Sequence, residues 1–286
     1  MDRRTFLMSA GAALAPAGAR FENPFFALCM DTHDEKKRNL AGQAQMLKEL
    51  GYDGAGHLWF ENVAERLATL DRAGLRLFQV YMRVDAGPQA KQAYDAKLSE
   101  VLPLLRGRDV QLAVLMVGGK PSDPSLDERA VGLIREIADA ARPQGVRLVL
   151  YPHQKHWLET VQDAIRVARK ADRVNVGVMF NLCHWLKVGD ERELRPLLEA
   201  AGPLLWALSI NGSDRGPEIK AGTGNWIQPL DRGTFAILGF LQELHRTGYR
   251  GSIGLQCYGI PGDAAVHLAR SMAAWRRLKD RINGRG

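Results

Sequence analysis

Cysteine is scarce in this 286-residue chain: Cys29, Cys183 and Cys257 are an odd number, far apart, with no C-x-x-C pair. That excludes a disulfide framework and a cysteine-built zinc site, and each cysteine lies late in an apolar run, where a thiol acts as a small core hydrophobe. Beyond the first residues no stretch approaches 18 consecutive apolar positions, so no membrane span is expected. Lys and Arg exceed Asp and Glu by 39 to 32, a formal charge of +7. Part of the excess sits in Arg276, Arg277, Lys279, Arg281 and Arg285, which reads as a solvated terminal helix and tail. The continuous basic stripe interleaved with aromatics that marks a nucleic-acid binder is missing, and no nucleic-acid partner is expected. A dinucleotide fingerprint is missing too, since the first strand-to-helix turn reads Asp31-Thr32-His33-Asp34. Gly118-Gly119-Lys120 lacks the upstream glycine and the following Ser or Thr of a phosphate cradle, and reads as a loop.

What is present begins with residues 1–19, where Arg3-Arg4 precedes a weakly apolar stretch and Ala17-Gly18-Ala19 supplies an A-x-A cleavage pattern. This predicts a twin-arginine export signal, a mature protein starting near Arg20 and a periplasmic or secreted location. The full chain is 46% hydrophobic and 25% charged, enough apolar material for a sizeable core and against disorder. Length alone does not fix the domain count, so the pattern of elements must.

Eight apolar or β-branched runs predict strands: Phe25 to Met30, Gly54 to Trp59, Leu75 to Tyr81, Val110 to Val117, Val146 to Tyr151, Val174 to Phe180, Leu205 to Ile210 and Ser252 to Cys257. Amphipathic stretches alternate with them: Gln43 to Leu50, Ala64 to Ala73, Lys91 to Leu105, Leu126 to Ala141, Leu158 to Ala171, Glu191 to Ala200, Phe235 to Thr247 and Ala264 to Leu278. Glycines such as Gly51, Gly74, Gly145 and Gly248 mark helix ends. Eight β-then-α units without a linker or composition break predict one α/β domain over residues 20–286, a single closed (β/α)8 TIM barrel rather than an open doubly wound sheet.

In such a barrel the chemistry gathers at the C-terminal strand ends. Those ends read Asp31-Thr32-His33, Tyr81-Met82-Arg83-Val84-Asp85, Tyr151-Pro152-His153-Gln154, Asn181-Leu182-Cys183-His184-Trp185, Asn211-Gly212-Ser213-Asp214 and Gln256-Cys257-Tyr258. Strand periodicity puts Tyr151 with His153, and Gln256 with Tyr258, on inward faces.

Gly145 to His153, Asn175 to His184, the polar Gln228-Pro229-Leu230-Asp231-Arg232-Gly233 loop and the closing Tyr249 to Gln256 together resemble the xylose isomerase-like barrel superfamily of sugar isomerases, ketose epimerases and one type of abasic-site nuclease. The resemblance covers nearly the whole mature chain and implies a small-molecule carbohydrate substrate. It also implies a divalent cation held by a glutamate, an aspartate, a histidine and a glutamate ending strands five to eight. Here those positions correspond to Tyr151, Asn181, Asn211 and Gln256. A neutral set suits Mg²⁺ or Mn²⁺ poorly, because hard ions need anionic oxygen to offset dehydration, so no metal and no other cofactor is expected. The zinc cluster of the nuclease branch cannot be assembled from these strand ends either.

His153 and His184 are the expected acid and base, since imidazole titrates near neutrality. Tyr151 or Tyr258 could donate to a developing enolate. Asn181, Asn211, Gln256, Asp214 and Asp85 offer polar contacts for sugar hydroxyls, and Trp157 and Trp185 an apolar wall. His33, His57 and Tyr81 join them at strand ends, with His57 and His245 equally readable as structural histidines. The resulting expectation is a keto-sugar isomerase or epimerase working by proton abstraction next to a carbonyl, without the metal. The alternatives are a lyase or hydratase acting on an oxidised sugar, and a non-catalytic carbohydrate-binding barrel.

Overall fold

The computed structural model describes residues 20–285, so the expected export signal lies outside the described residues. Eight strands, β1 Phe25–Leu28, β2 Gly54–Leu58, β3 Arg76–Asp85, β4 Gln111–Val117, β5 Arg147–Leu150, β6 Val176–Asn181, β7 Leu205–Ile210 and β8 Ile253–Gln256, pair in parallel and in sequence order. The barrel closes where β1 meets β8, with Phe25 beside Ile253 and Leu28 beside Gln256. The helices are α1 Leu40–Leu50, α2 Val63–Ala73, α3 Leu98–Leu104, α4 Asp127–Ala141, α5 Val161–Ala171, α6 Leu182–Val188, α7 Leu194–Ala201, α8 Gly216–Lys220, α9 Ile237–Arg246 and α10 Ala264–Ile282. One (β/α)8 barrel results, as the alternation predicts. Among the described residues no helix is long and apolar enough to cross a membrane.

Side-chain parity along each strand builds two apolar layers. Outward residues such as Phe25, Ala27, Leu148, Leu150, Val178 and Phe180 pack against the helices, while Phe26, Leu28, Ala113, Val149, Tyr151, Met179 and Ala207 fill the interior. Small residues let the large ones fit: a methyl group on Gly254 would meet a Leu28 methyl carbon at 2.5 Å. The same parity turns Asn181 and Gln256 inward at the ends of β6 and β8, directly above this plug.

Two departures from expectation bear on the mouth of the barrel. β3 runs on to Asp85, because Tyr81 to Asp85 continue to pair with Ala113 to Val117. The stretch 91–97 is not helical; Tyr94 bridges Val84 instead, and the helix waits until Leu98, where Leu98, Val101 and Leu102 first supply an apolar face. The second difference is α6, which begins immediately after β6: Leu182, Trp185 and Leu186 have helical spacing, and the Asn181 side chain caps the first turn. Cys29, Cys183 and Cys257 are free and buried, with Cys183 in that turn rather than in a strand.

Candidate active site at the barrel mouth

Asn181, Gln256 and Tyr151 meet above the interior plug. The Asn181 Oδ1 accepts from the backbone N–H of His184 at 3.5 Å and from Cys183 Sγ at 2.9 Å. Gln256 Oε1 accepts from the backbone N–H of Tyr258 at 3.0 Å. A backbone N–H can only donate, so both amide oxygens are turned away and both NH2 groups face the centre. There Asn181 Nδ2 donates to the Tyr151 hydroxyl, and Gln256 Nε2 approaches the same oxygen at 3.5 Å. With its oxygen occupied by amide donors, Tyr151 keeps its own proton to give. Burial holds its ionisation well above the usual phenol range.

Asn211, the remaining one of the four, follows β7 and donates to the carbonyls of Gly212 at 2.7 Å and Trp226 at 2.8 Å. It thereby ties the loop 221–234 over the β6–β7 side of the mouth, and its buried Oδ1 has no partner. The divalent ion implied by the resemblance does not fit this donor set. The four residues are neutral, two of them point N–H groups where a cation would need lone pairs, and a third has its amide hydrogens engaged. Among the described residues no group of three His, Cys, Asp or Glu side chains is placed to hold a metal ion.

Beside Tyr151 stand three histidines. The rings of His153 and His184 are 3.8 Å apart between centroids, and His156 lies on the other side of His153 at 3.9 Å. His153 Nδ1 lies 2.8 Å from the Gln154 carbonyl, which can only accept, so the neutral ring carries its proton there and presents Nε2 as a base. His184 is 4% exposed and its Nδ1 has no partner. Burial lowers the pKa of His153, and that of His184 falls well below the usual imidazole range through burial and the neighbouring imidazoles. His156 drops to about 4 through burial, His153 and Arg83. All three are therefore neutral bases at pH 7.

Other sequence-predicted residues are placed differently. Trp157 is wholly buried, its Nε1 donating to the Asp123 carbonyl at 2.7 Å, so it supports the loop after β4 and offers no wall to a sugar. Trp185 packs on Phe180 in the outer core. Tyr258 is 53% exposed with its ring edge-on to His33 at 5.4 Å; the strand has ended at Gln256, so the inward parity expected of Tyr258 no longer applies and it stands at the rim. Asp214 accepts from the backbone of Asn225 at 2.7 Å and of Thr234 at 3.1 Å, which pins both ends of the covering loop. Asp85 accepts from Gly87 N–H at 2.9 Å and lies over Gly118, whose φ of +99° and lack of a side chain make room for the carboxylate. Both His57 nitrogens are bonded, to the Glu61 carbonyl and to Arg66, a structural arrangement.

The sequence reading missed His156, Lys187 and Trp226. His156 was detectable from its i, i+3 spacing to His153, whereas nothing local marks Trp226, which reaches His184 (centroids 5.5 Å) only through the covering loop. Tyr81 links the cluster to a cleft of about 670 Å³ on the β2–β3 side, lined by Trp59, Glu61, Arg83, Asp85 and Tyr94. Its ring meets Tyr151 edge-on at 5.6 Å. A second concavity, of about 600 Å³, lies around Arg76, Arg147 and Trp206 at the opposite end of the barrel, away from these groups.

No curated protein matches the sequence significantly. Solved structures do match in fold. The D-allulose 3-epimerase of Methylomonas sp. is 14% identical with TM-score 0.68, covering 91% of this chain and 100% of its own. The 3-keto-D-glucoside 4-epimerase YcjR of E. coli is 15% identical with TM-score 0.69, covering 90% and 99%. The probable 3-DHS dehydratase AsbF of Bacillus anthracis, involved in petrobactin synthesis, is 15% identical with TM-score 0.69, covering 88% and 98%. At such identity the likeness concerns the fold. The family model described as xylose isomerase-like TIM barrel matches residues 44–278, and the chain belongs to that family.

Proposed function

We propose that the protein is an isomerase or epimerase of a keto-sugar that removes a proton next to the carbonyl without a divalent ion. The observation that carries this reading is the placement of two neutral imidazoles, His153 and His184, beside a tyrosine hydroxyl free to donate. In this scheme His153 Nε2 takes the proton from carbon, the electron pair moves into the carbonyl, and Tyr151 hydrogen-bonds to the enediolate oxygen. Return of that proton from the His153 imidazolium to the neighbouring carbon, with the hydroxyl proton passing between the two enediolate oxygens, completes isomerisation; epimerisation requires His184 first to take a proton from solvent and then to deliver it to the opposite face of the same carbon. A lyase or hydratase acting on an oxidised sugar shares the first step and differs in the group expelled.

Mutual bonding of Tyr151, Asn181 and Gln256 favours a second reading, a carbohydrate-binding barrel in which an ancestral site has become a rigid polar floor. Incubation with a panel of ketoses and keto-sugars in D2O separates the two. Deuterium uptake at the carbon next to the carbonyl supports the enzyme; tight binding with no exchange across the panel supports the binding module.

A further inference from the structure

Of the six tryptophans, Trp157, Trp185 and Trp275 are buried, and Trp206 and Trp226 are half-buried beneath a cation, Arg147 over one ring and Lys187 over the other. Trp59 is different. It is 44% exposed, and among the described residues no aromatic ring and no cation packs on its faces. Its backbone has a φ of +65°, the left-handed region that a bulky side chain adopts only at a cost in energy. An indole this exposed recovers only part of that cost by burial. The residue is held there by its N–H, which donates to the Tyr81 carbonyl at 3.1 Å just where β2 has ended. Strain kept under an uncovered ring at the mouth of a barrel points to a use for the ring.

The Trp59 ring lines the cleft of about 670 Å³ on the β2–β3 side. β3 outruns the interior plug, and its alternation puts Tyr81, Arg83 and Asp85 on the inward face. Tyr81 borders the cleft and meets the Tyr151 ring edge-on at 5.6 Å, so the cleft begins one ring away from the proposed reaction centre. Asp85 and Asp95 line it as well. Each has one carboxylate oxygen on a backbone N–H, that of Gly87 at 2.9 Å and that of Lys97 at 2.9 Å, and the other without a protein donor among the described residues. An apolar ring face beside free carboxylate oxygens matches a pyranose, whose C–H face packs on an indole while its hydroxyls donate to the acids. The same acids disfavour an anionic occupant.

We propose that this cleft is the subsite for a second, neutral sugar ring stacked on Trp59, so that the substrate of the mouth is a keto-sugar bearing a glycosidic substituent. The inference rests on the reading of Tyr151 and His153 as the reaction centre and names the substrate class of that site. The reacting ring lies over Tyr151, and the substituent follows the inward face of β3 past Tyr81 to the indole. Trp59 takes no part in proton transfer. It determines specificity, because its uncovered face adds contact area for the larger substrate and none for a monosaccharide confined to the histidines.

The test is titration calorimetry on the full chain with D-fructose and with three neutral keto-disaccharides, turanose, maltulose and isomaltulose, which carry glucose on different hydroxyls of fructose. At least one disaccharide is expected to bind about tenfold or more tightly than fructose. Because the added contact is stacking, the difference should persist at high salt. Trp59→Asn suits the left-handed backbone and removes the ring, and should bring that disaccharide to within about twofold of fructose. Trp59→Phe keeps a ring and should retain part of the advantage. Equal affinity for fructose and all three disaccharides, no binding of any disaccharide at millimolar concentration, or an advantage untouched by Trp59→Asn overturns the proposal. Deuterium exchange into fructose without any disaccharide advantage would remove this inference and keep the proposed proton abstraction. A disaccharide advantage that depends on Trp59, without exchange on any substrate, would keep the subsite and remove the proton abstraction.

Discussion

Asn181 donates its side-chain amide to the Tyr151 hydroxyl, joining the end of β6 to the end of β5 where the family resemblance implies two carboxylate ligands of one ion. Removing that hydroxyl leaves the Asn181 and Gln256 amide hydrogens buried without an acceptor. Tyr151→Phe should therefore destabilise the fold by about 1–3 kcal/mol, read as a lower urea midpoint with unchanged slope. An unchanged midpoint would show that the three residues do not depend on one another. If Tyr151 also donates to an enediolate, solvent exchange by the variant should fall as well.

The neutrality of the donor set gives a prediction about metal. EDTA or added Mn²⁺ should leave the melting temperature of the wild type unchanged, since no ion would contribute binding free energy. Asn181→Asp combined with Gln256→Glu returns anionic oxygen to two strand ends, and that variant should gain stability as Mn²⁺ is added. Stoichiometric metal in the purified wild type, or a Mn²⁺ response equal in both proteins, would overturn the argument.

Much of this is legible in the sequence. Strand parity announced that Tyr151 and Gln256 face inward, and the eight-unit alternation announced closure, because both follow from local periodicity; Asn181 was placed by the family resemblance. Tyr258 was misplaced because it lies just beyond β8, where the chain turns and parity stops carrying information; Trp157, read as a wall from its place after the strand-five motif, instead turns into the core and donates to the Asp123 carbonyl. The non-helical stretch 91–97 shows the same limit, since its fate is set by Tyr94 pairing with Val84 in a strand that outruns its apolar core. Lys187 and Trp226 sit 39 positions apart, and only the covering loop pinned by Asp214 and Asn211 brings them together.

Acid should weaken the protein through the histidine stack. Folding lowers the pKa of His153, His156 and His184, so the unfolded chain takes up protons that the folded chain refuses. Stability is then fully present above the unfolded value of about 6.5 and falls as pH drops through it, continuing toward the folded value of about 4 for His156. Urea midpoints measured between neutral pH and about pH 5 should decline, and decline less in His156→Gln, which has one proton fewer to exclude. An identical slope in wild type and variant would sink this assignment.

The export reading rests on Arg3-Arg4 and Ala17-Gly18-Ala19. Residues 1–30 fused to a reporter that folds before transport should carry it to the periplasm, and changing both arginines to lysine should abolish this. Cytoplasmic retention of both fusions would mean that the segment is no signal.

The roles given to the two imidazoles can be separated from mere packing. His153→Gln and His184→Asn each remove a group that accepts or returns a proton, and general acid–base catalysis contributes about 10²-fold or more, so turnover should fall at least that far. Their KM values should move less, because the sugar hydroxyls would still meet Asn181 and Gln256. The two substitutions should differ in what survives. If His153 Nε2 is the base that takes the proton from carbon, deuterium exchange into substrate disappears in His153→Gln. If His184 serves only to return a proton on the other face, His184→Asn retains exchange at the first position while product formation stops. Loss of both reactions in both variants with unchanged melting temperature would mean the pair acts as one unit, as groups in van der Waals contact often do. Exchange at wild-type rate in both variants would place the base elsewhere.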